Sequence, residues 1–338
     1  MNPVAGASVL VGRPLGGMVP DPALLTPSRE TDLVRADGRP KPEFRERLRT
    51  IASWRNACSV VGVWLQALLV VGLAVWWRNP IGYGFAFLLM GRTQAQLAAL
   101  MHEAAHRLLF ANRRANDLVG RWFLGYPSFT STDAYRRVHM AHHRQEFGPD
   151  EPDIPLYAGY PITRASLRRK LVRDATGQTG FRLMRDQFAG LRSPNPRVRR
   201  TLVKILVVQA LLLGAAIAGG RWWLYPLLWV APYLTVWRVI NRLRSIGEHG
   251  GMDASTDRRA TTHTVRQTWW ARGFLVPYRI GWHLPHHVDS GVSMRHLPRY
   301  HRALRDAGYV TPELEYHSYR VLWRALRAGT PARSRPST

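Results

Sequence analysis

The sequence predicts an all-α integral membrane protein with four transmembrane helices in two hairpins and a cytoplasmic helical cap. Three observations carry that prediction. Hydrophobic residues make up 46% of the 338 residues while 48 Lys and Arg keep the mean hydropathy slightly negative, so apolar and basic residues must be segregated along the chain. Residues 58–77, CSVVGVWLQALLVVGLAVWW, hold no charge over a length that matches a bilayer's hydrocarbon core. Outside the apolar segments, basic residues are frequent everywhere except in the two short turns that join them, as expected of a chain oriented by its positive loops.

Residues 1–57 mix Gly, Pro and charge without sustained apolar periodicity and lack the pattern of a secretory signal, so they read as a cytoplasmic N-terminal arm, partly disordered, with one short helix from Pro42 to Trp54. The first span is Cys58–Trp77. Arg78, Asn79 and Pro80 turn the chain, and Ile81–Met101 returns it; Arg92, Thr93, Gln94 and Gln96 are costly at membrane depth and should face other helices. Leu202–Gly219 and Trp222–Val239 form the second hairpin, broken at Gly219, Gly220 and Arg221, with Lys204 placed to snorkel. Nine Lys and Arg in residues 1–57, and many more in 107–200 and 241–338, against one in each connecting turn, place both termini and the large middle segment in the cytoplasm. Trp76, Trp77, Trp222 and Trp223 then lie at the opposite interface as an aromatic belt. The expected organisation is an arm over 1–57, one membrane domain over 58–325 and a disordered tail over 326–338.

A net charge of +26 raises nucleic-acid binding, but no zinc-finger spacing, no RNA-binding aromatic strand and no basic heptad run supports it, so nucleic acid is not expected as a partner. One cysteine, Cys58, excludes a disulfide framework, an iron-sulfur cluster and a Cys-based zinc site within this chain. Metal chemistry therefore falls to histidine and carboxylate.

Eight of the 13 histidines form three clusters: HEAAH (His102, His106), HMAHH (His139, His142, His143) and HLPHH (His283, His286, His287). Spacings of three and four put the imidazoles of the first two clusters on one helix face each. Pro285 suits a first helical turn, so His286 and His287 should begin a helix with His283 just ahead of it. On the expected topology all three clusters reach the cytoplasmic side. Eight imidazoles exceed the three that a catalytic zinc takes and suit two metals; imidazole serves iron as well as zinc. HEAAH also fits a membrane zinc metalloprotease with Glu103 as base, although no third ligand motif follows it.

HEAAH, HMAHH and WHLPHH, in this order and separated by apolar hairpins, resemble the three histidine boxes of the membrane fatty acid desaturase family. The resemblance runs from about Met90 to Gly308 and takes in EPD at 151–153, RSIGEH ending at His249, and LPRYHRAL at 297–304. It implies a di-iron centre held by His102, His106, His139, His142, His143, His283, His286 and His287, with His249 completing the shell; a capping or surface role for His249 stays open. It also implies O2 as co-substrate, a lipid-like acyl substrate desaturated in the cell membrane, and a separate ferredoxin or cytochrome-type electron donor, which the basic cytoplasmic face would attract if acidic. Hydroxylases and ketolases of fatty acids or carotenoids use the same scaffold, and a bacterial subgroup linked to rhizobitoxine-type biosynthesis opens the case of a small non-lipid substrate. Glu103, Asp133, Asp153 and Asp289 are the candidate carboxylates behind ligand imidazoles, each equally readable as a surface partner of Arg. Trp282 and Tyr126 are candidates for an acyl tunnel or plain interface anchors. His263, His296, His301 and His317 stand in Arg-rich sequence and are expected to be solvated.

Overall fold

The computed structural model describes residues 15–148, 151 and 153–329. The first 14 residues and the last nine of the expected tail lie outside the described residues. Helices dominate; strand is limited, among the described residues, to the two-residue parallel pair Thr264–Val265 with Glu315–Tyr316 and an isolated bridge between Val34 and Pro40.

Two long helices, Ser53–Trp77 and Pro80–Ala105, form the first hairpin. Arg78 ends the first in the left-handed region at φ 49°, and Asn79 caps the second by accepting from the Ile81 amide at 2.8 Å, with Pro80 at the first helical position. Helix Pro196–Ala218 starts the same way, Asn195 accepting from Arg197 N at 2.9 Å ahead of Pro196. Two segments are long and apolar enough to cross a membrane, the one ending at Trp77 and Pro196–Ala218. Their apolar residues face outward: Leu65, Leu68, Leu69, Leu73, Val207 and Leu211 are all exposed, as lipid-facing residues would be.

Helix Pro80–Ala105 is different, because it is the centre of the molecule and is buried from Met90 to Ala105 save for Arg92 and Ala98. Its polar residues do face other elements. Gln66 Nε2 donates to Thr93 Oγ1 (3.1 Å) and Gln96 Oε1 (2.8 Å), Arg92 donates to Gln66 Oε1 (2.8 Å), and Gln96 reaches Tyr278. Gly91 lies so close to the Val236 side chain that a Cβ there would collide with it.

The segment expected as a fourth straight span is broken. Trp222–Val239 contains a wide turn at Pro226–Val230, a short helix Ala231–Leu234, and Thr235 at φ −120°, ψ −83°, after which helix Val236–His249 begins. Pro226 and Pro232 each remove an amide donor and crowd the preceding turn, which hydropathy alone does not register. The short helix near the arm's end is also divided: Pro42–Leu48 stops, and Ser53 opens the long helix. Residues 15–57 are packed against the rest of the chain. Val34, Phe44 and Leu48 are at most 1% exposed, Phe44 meets Tyr300 edge-to-face at 6.3 Å, and Tyr300 donates to Gly38 O at 2.8 Å.

Candidate metal centre

The inner end of helix Pro80–Ala105 carries His102 on its last turn and His106 just beyond it. Its terminal carbonyls, which have no partner within the helix, are taken up by side chains of neighbouring segments. Arg136 donates to Ala105 O (2.8 Å) and Ala104 O (2.9 Å) while pairing with Asp117 at 2.6 Å, and Asn116 also donates to Ala104 O at 2.9 Å. Arg136 sits on helix Thr132–Arg144, capped by Ser131 Oγ, so the same contacts bring His139, His142 and His143 up to His102 and His106. His249 ends helix Val236–His249. His283, His286 and His287 share helix His283–Val288, so His283 lies inside the helix that Pro285 was expected to exclude it from; Pro285 is within the first turn, where its missing amide costs nothing.

All nine predicted histidines meet in one centre. His139 Nε2 lies 2.8 Å from His102 Nε2 and 3.1 Å from His143 Nε2; His283 Nε2 lies 3.0 Å from both His249 Nε2 and His287 Nε2. His106 Nε2 and His286 Nε2 are buried without a hydrogen-bond partner. Ring nitrogens of His102, His106, His139, His143 and His286 lie within 4.8 Å of one another, as do those of His142, His249 and His287. Hydrogen bonding explains only part of this, since one Nε2–H can donate to one Nε2, yet His139 Nε2 and His283 Nε2 each face two others and the Nε2 atoms of His106 and His286 have no partner. Two ligands about 2.1 Å from one metal and at right angles stand about 3 Å apart, which is the spacing found. The residues fit a pair of metals.

The far nitrogens are held as metal-binding imidazoles require. Glu151 accepts from His142 Nδ1 at 2.5 Å and also from Phe147 N and Tyr157 OH. Glu146 accepts from His287 Nδ1 and pairs with Arg258 at 2.8 Å. Thr261 O accepts from His249 Nδ1 at 2.8 Å, and Glu248, held by Arg244 at 2.6 Å, stands 3.5 Å from His283 Nδ1. Burial, and then the surrounding imidazoles, hold His139, His143, His283, His286 and His287 well below the ordinary histidine range; burial pushes His106 down to about 3. They are neutral, with lone pairs available. Burial acts the same way on His142, but the hydrogen bond and charge of Glu151 outweigh it and raise the group.

The expected carboxylates are not these. Glu103 accepts from the Met294 amide at 2.9 Å, Asp133 pairs with Arg121 (2.8 Å) and Asp289 with Arg45 (2.5 Å); Asp153 acts on His142 only through space. Glu146, Glu151 and Glu248 take the role instead. Their signals were faint: Glu146 follows His143 by three residues, Glu151 opens EPD, and Glu248 precedes His249. Two histidines expected in solvent are buried. His263 Nε2 donates to Gly250 O at 2.8 Å, and His301 pairs with Glu315 at 2.9 Å; His317 is exposed and His296 half-buried. Tyr126 is buried with its ring on Trp122, and Trp282 packs at the edge of the core.

Comparison with known proteins agrees with the geometry. The sequence profile of the fatty acid desaturase family matches residues 78–323, a stretch that takes in every histidine of the centre. Over 250 residues the chain is 27% identical to dihydrorhizobitoxine desaturase of Bradyrhizobium elkanii, an alignment covering 69% of this chain and 70% of that protein. With its imidazole centre inside the matched region, the chain belongs to the fatty acid desaturase family.

Proposed function

We propose that this chain is a membrane-bound di-iron oxidoreductase that uses O2 to introduce a double bond into a fatty acyl chain. The observation that carries the reading is the meeting of nine imidazoles, seven of them buried, in two adjoining sets, with Nε2 atoms of His102 and His139 and of His249 and His283 about 3 Å apart. His102, His106, His139, His143 and His286 would hold one iron, and His142, His249, His283 and His287 the other. Bound there, the irons supply O2 binding and the oxidising power to break unactivated C–H bonds. The overall change removes two hydrogens from neighbouring carbons; these, with two electrons from a ferredoxin or cytochrome-type donor and two protons from solvent, reduce O2 to two waters.

The chain's own part is placement. Glu146, Glu151 and the Thr261 carbonyl keep the protons on Nδ1 of His287, His142 and His249, so the opposite nitrogens point inward. Burial of the ring cluster excludes water from the reacting region. The Lys and Arg distribution favours a cytoplasmic side for this centre and both termini, with four membrane passes, the last of them bent at Thr235.

The name of the Bradyrhizobium relative favours a second reading of the substrate, a small non-lipid molecule desaturated by the same centre. Iron analysis of the purified protein and product profiling of an expressing host test the proposal together. A pair of irons per chain and new double bonds, both lost in His142→Ala, support it. One zinc per chain, with proteolysis abolished by Glu103→Gln, would reverse it, and a hydroxylated or keto product would reassign the reaction.

A further inference from the structure

A cavity of about 860 Å3 opens beside the centre, and His143 and His287 form part of its wall. That volume lies within the range of sites that enclose a whole small molecule. Five arginines also line it: Arg35, Arg39, Arg45, Arg49 and Arg258. Against them the wall sets two carboxylates, Glu46 and Asp289, and its apolar residues are only Pro40, Pro42 and Val288.

Three of the arginines are engaged. Arg45 pairs with Asp289 (2.5 Å), Arg258 with Glu146 (2.8 Å) and Arg39 with Asp37 (3.7 Å). Arg35 and Arg49 have no ion-pair partner among the described residues. They are presented by a firmly seated segment, since Val34, Phe44 and Leu48 beside them are buried and Gly38 O accepts from Tyr300. Unpaired guanidinium groups at a concave wall concentrate positive potential, and their forked donors match the two oxygens of a carboxylate or phosphate. A methylene chain gains nothing from such a wall.

We infer that this cavity binds an anionic head group of the substrate, a carboxylate or phosphate held by Arg35 and Arg49, and so delivers the attached aliphatic carbons to the centre past His143 and His287. The inference rests on the centre being the site of oxidation. The anion belongs either to the substrate itself, as in a small organic acid, or to a carrier such as coenzyme A.

Calorimetric titration of the full-length protein in detergent at low salt, with hexanoate and separately with coenzyme A, tests this. At least one probe should bind saturably, and Arg35→Gln/Arg49→Gln should weaken that binding by at least about tenfold with iron content and thermal midpoint unchanged. The exposed pair Arg302→Gln/Arg320→Gln, which does not line the cavity, should leave it intact. Tighter binding of hexanoate assigns the anion to the substrate, and tighter binding of coenzyme A to a carrier. Absence of saturable binding by either probe overturns the inference, as does a double variant that binds both like the wild type. A double variant slowed only in reduction by an acidic ferredoxin, with probe binding unchanged, overturns it too and makes the wall a donor dock. Saturable probe binding lost in the double variant, in wild-type protein that holds no iron and forms no new double bond, would keep this site while the oxidative reading fails alone.

Discussion

Glu146→Gln is the most informative single substitution. The carboxylate accepts from His287 Nδ1 and pairs with Arg258, and its side chain is 1% exposed. Glutamine keeps one acceptor oxygen but loses the charge that strengthens both contacts, each of which contributes about 1.5–3 kcal/mol when charge-assisted. Loss of such a partner behind a ligand imidazole typically weakens metal affinity by about 10- to 100-fold, roughly 1.4–2.8 kcal/mol. The effect should be one-sided. His287 groups with His142 and His249, whereas none of His102, His106, His139, His143 and His286 hydrogen-bonds Glu146, although a His143 nitrogen lies within 4.8 Å of it. Dialysis of the variant against a weak chelator should therefore strip one iron while the other is retained, with helix content unchanged by circular dichroism. Retention of both irons at wild-type affinity, or their loss in parallel, would refute the assignment of Glu146 to a single half of the centre.

Asn56→Ala should destabilise the detergent-solubilised protein by about 1–3 kcal/mol in thermal unfolding, because Asn56 is fully buried, donates to Leu109 O at 2.9 Å and accepts from Arg295 at 2.7 Å. Gly91→Ala should cost about 1–3 kcal/mol in the same assay, since its Cβ would overlap the Val236 side chain where the broken fourth segment crosses the central helix. His263, buried and donating to Gly250 O, is held down to about 4 by burial. The unfolded chain takes up that proton near pH 6.5, so stability falls as pH drops from about 6.5 towards 4, by about 3 kcal/mol for this group. His263→Gln should flatten that part of the stability profile relative to wild type; identical profiles would show that His263 does not titrate there.

The three histidine clusters were legible because a helix repeats every 3.6 residues and each cluster is short enough to lie on one face. His249, a single residue, had only the family resemblance to mark it, yet it stands 3.0 Å from His283 Nε2. The carboxylates were not legible. Glu146 and His287 are 141 residues apart and no local pattern joins them, while Asp133 and Asp289, chosen for their nearness to clusters, are captured by nearby arginines. The hairpin Ser53–Ala105 followed from uncharged length and the Asn79–Pro80 cap. The break in the last apolar segment was not legible because hydropathy sums side chains and ignores the amides that Pro226 and Pro232 lack. The packing of residues 15–57 was invisible too, since Phe44 and Tyr300 meet across more than two hundred residues.

The histidines that would hold the proposed metals are contributed by four stretches, the last of them beginning at His283. A nascent polypeptide still short of that point offers neither set whole, so loading would wait until almost everything has been synthesised. Once loaded, the ions fasten early and late parts of the chain together, so iron supply would govern how long each newly made molecule survives as well as whether it works.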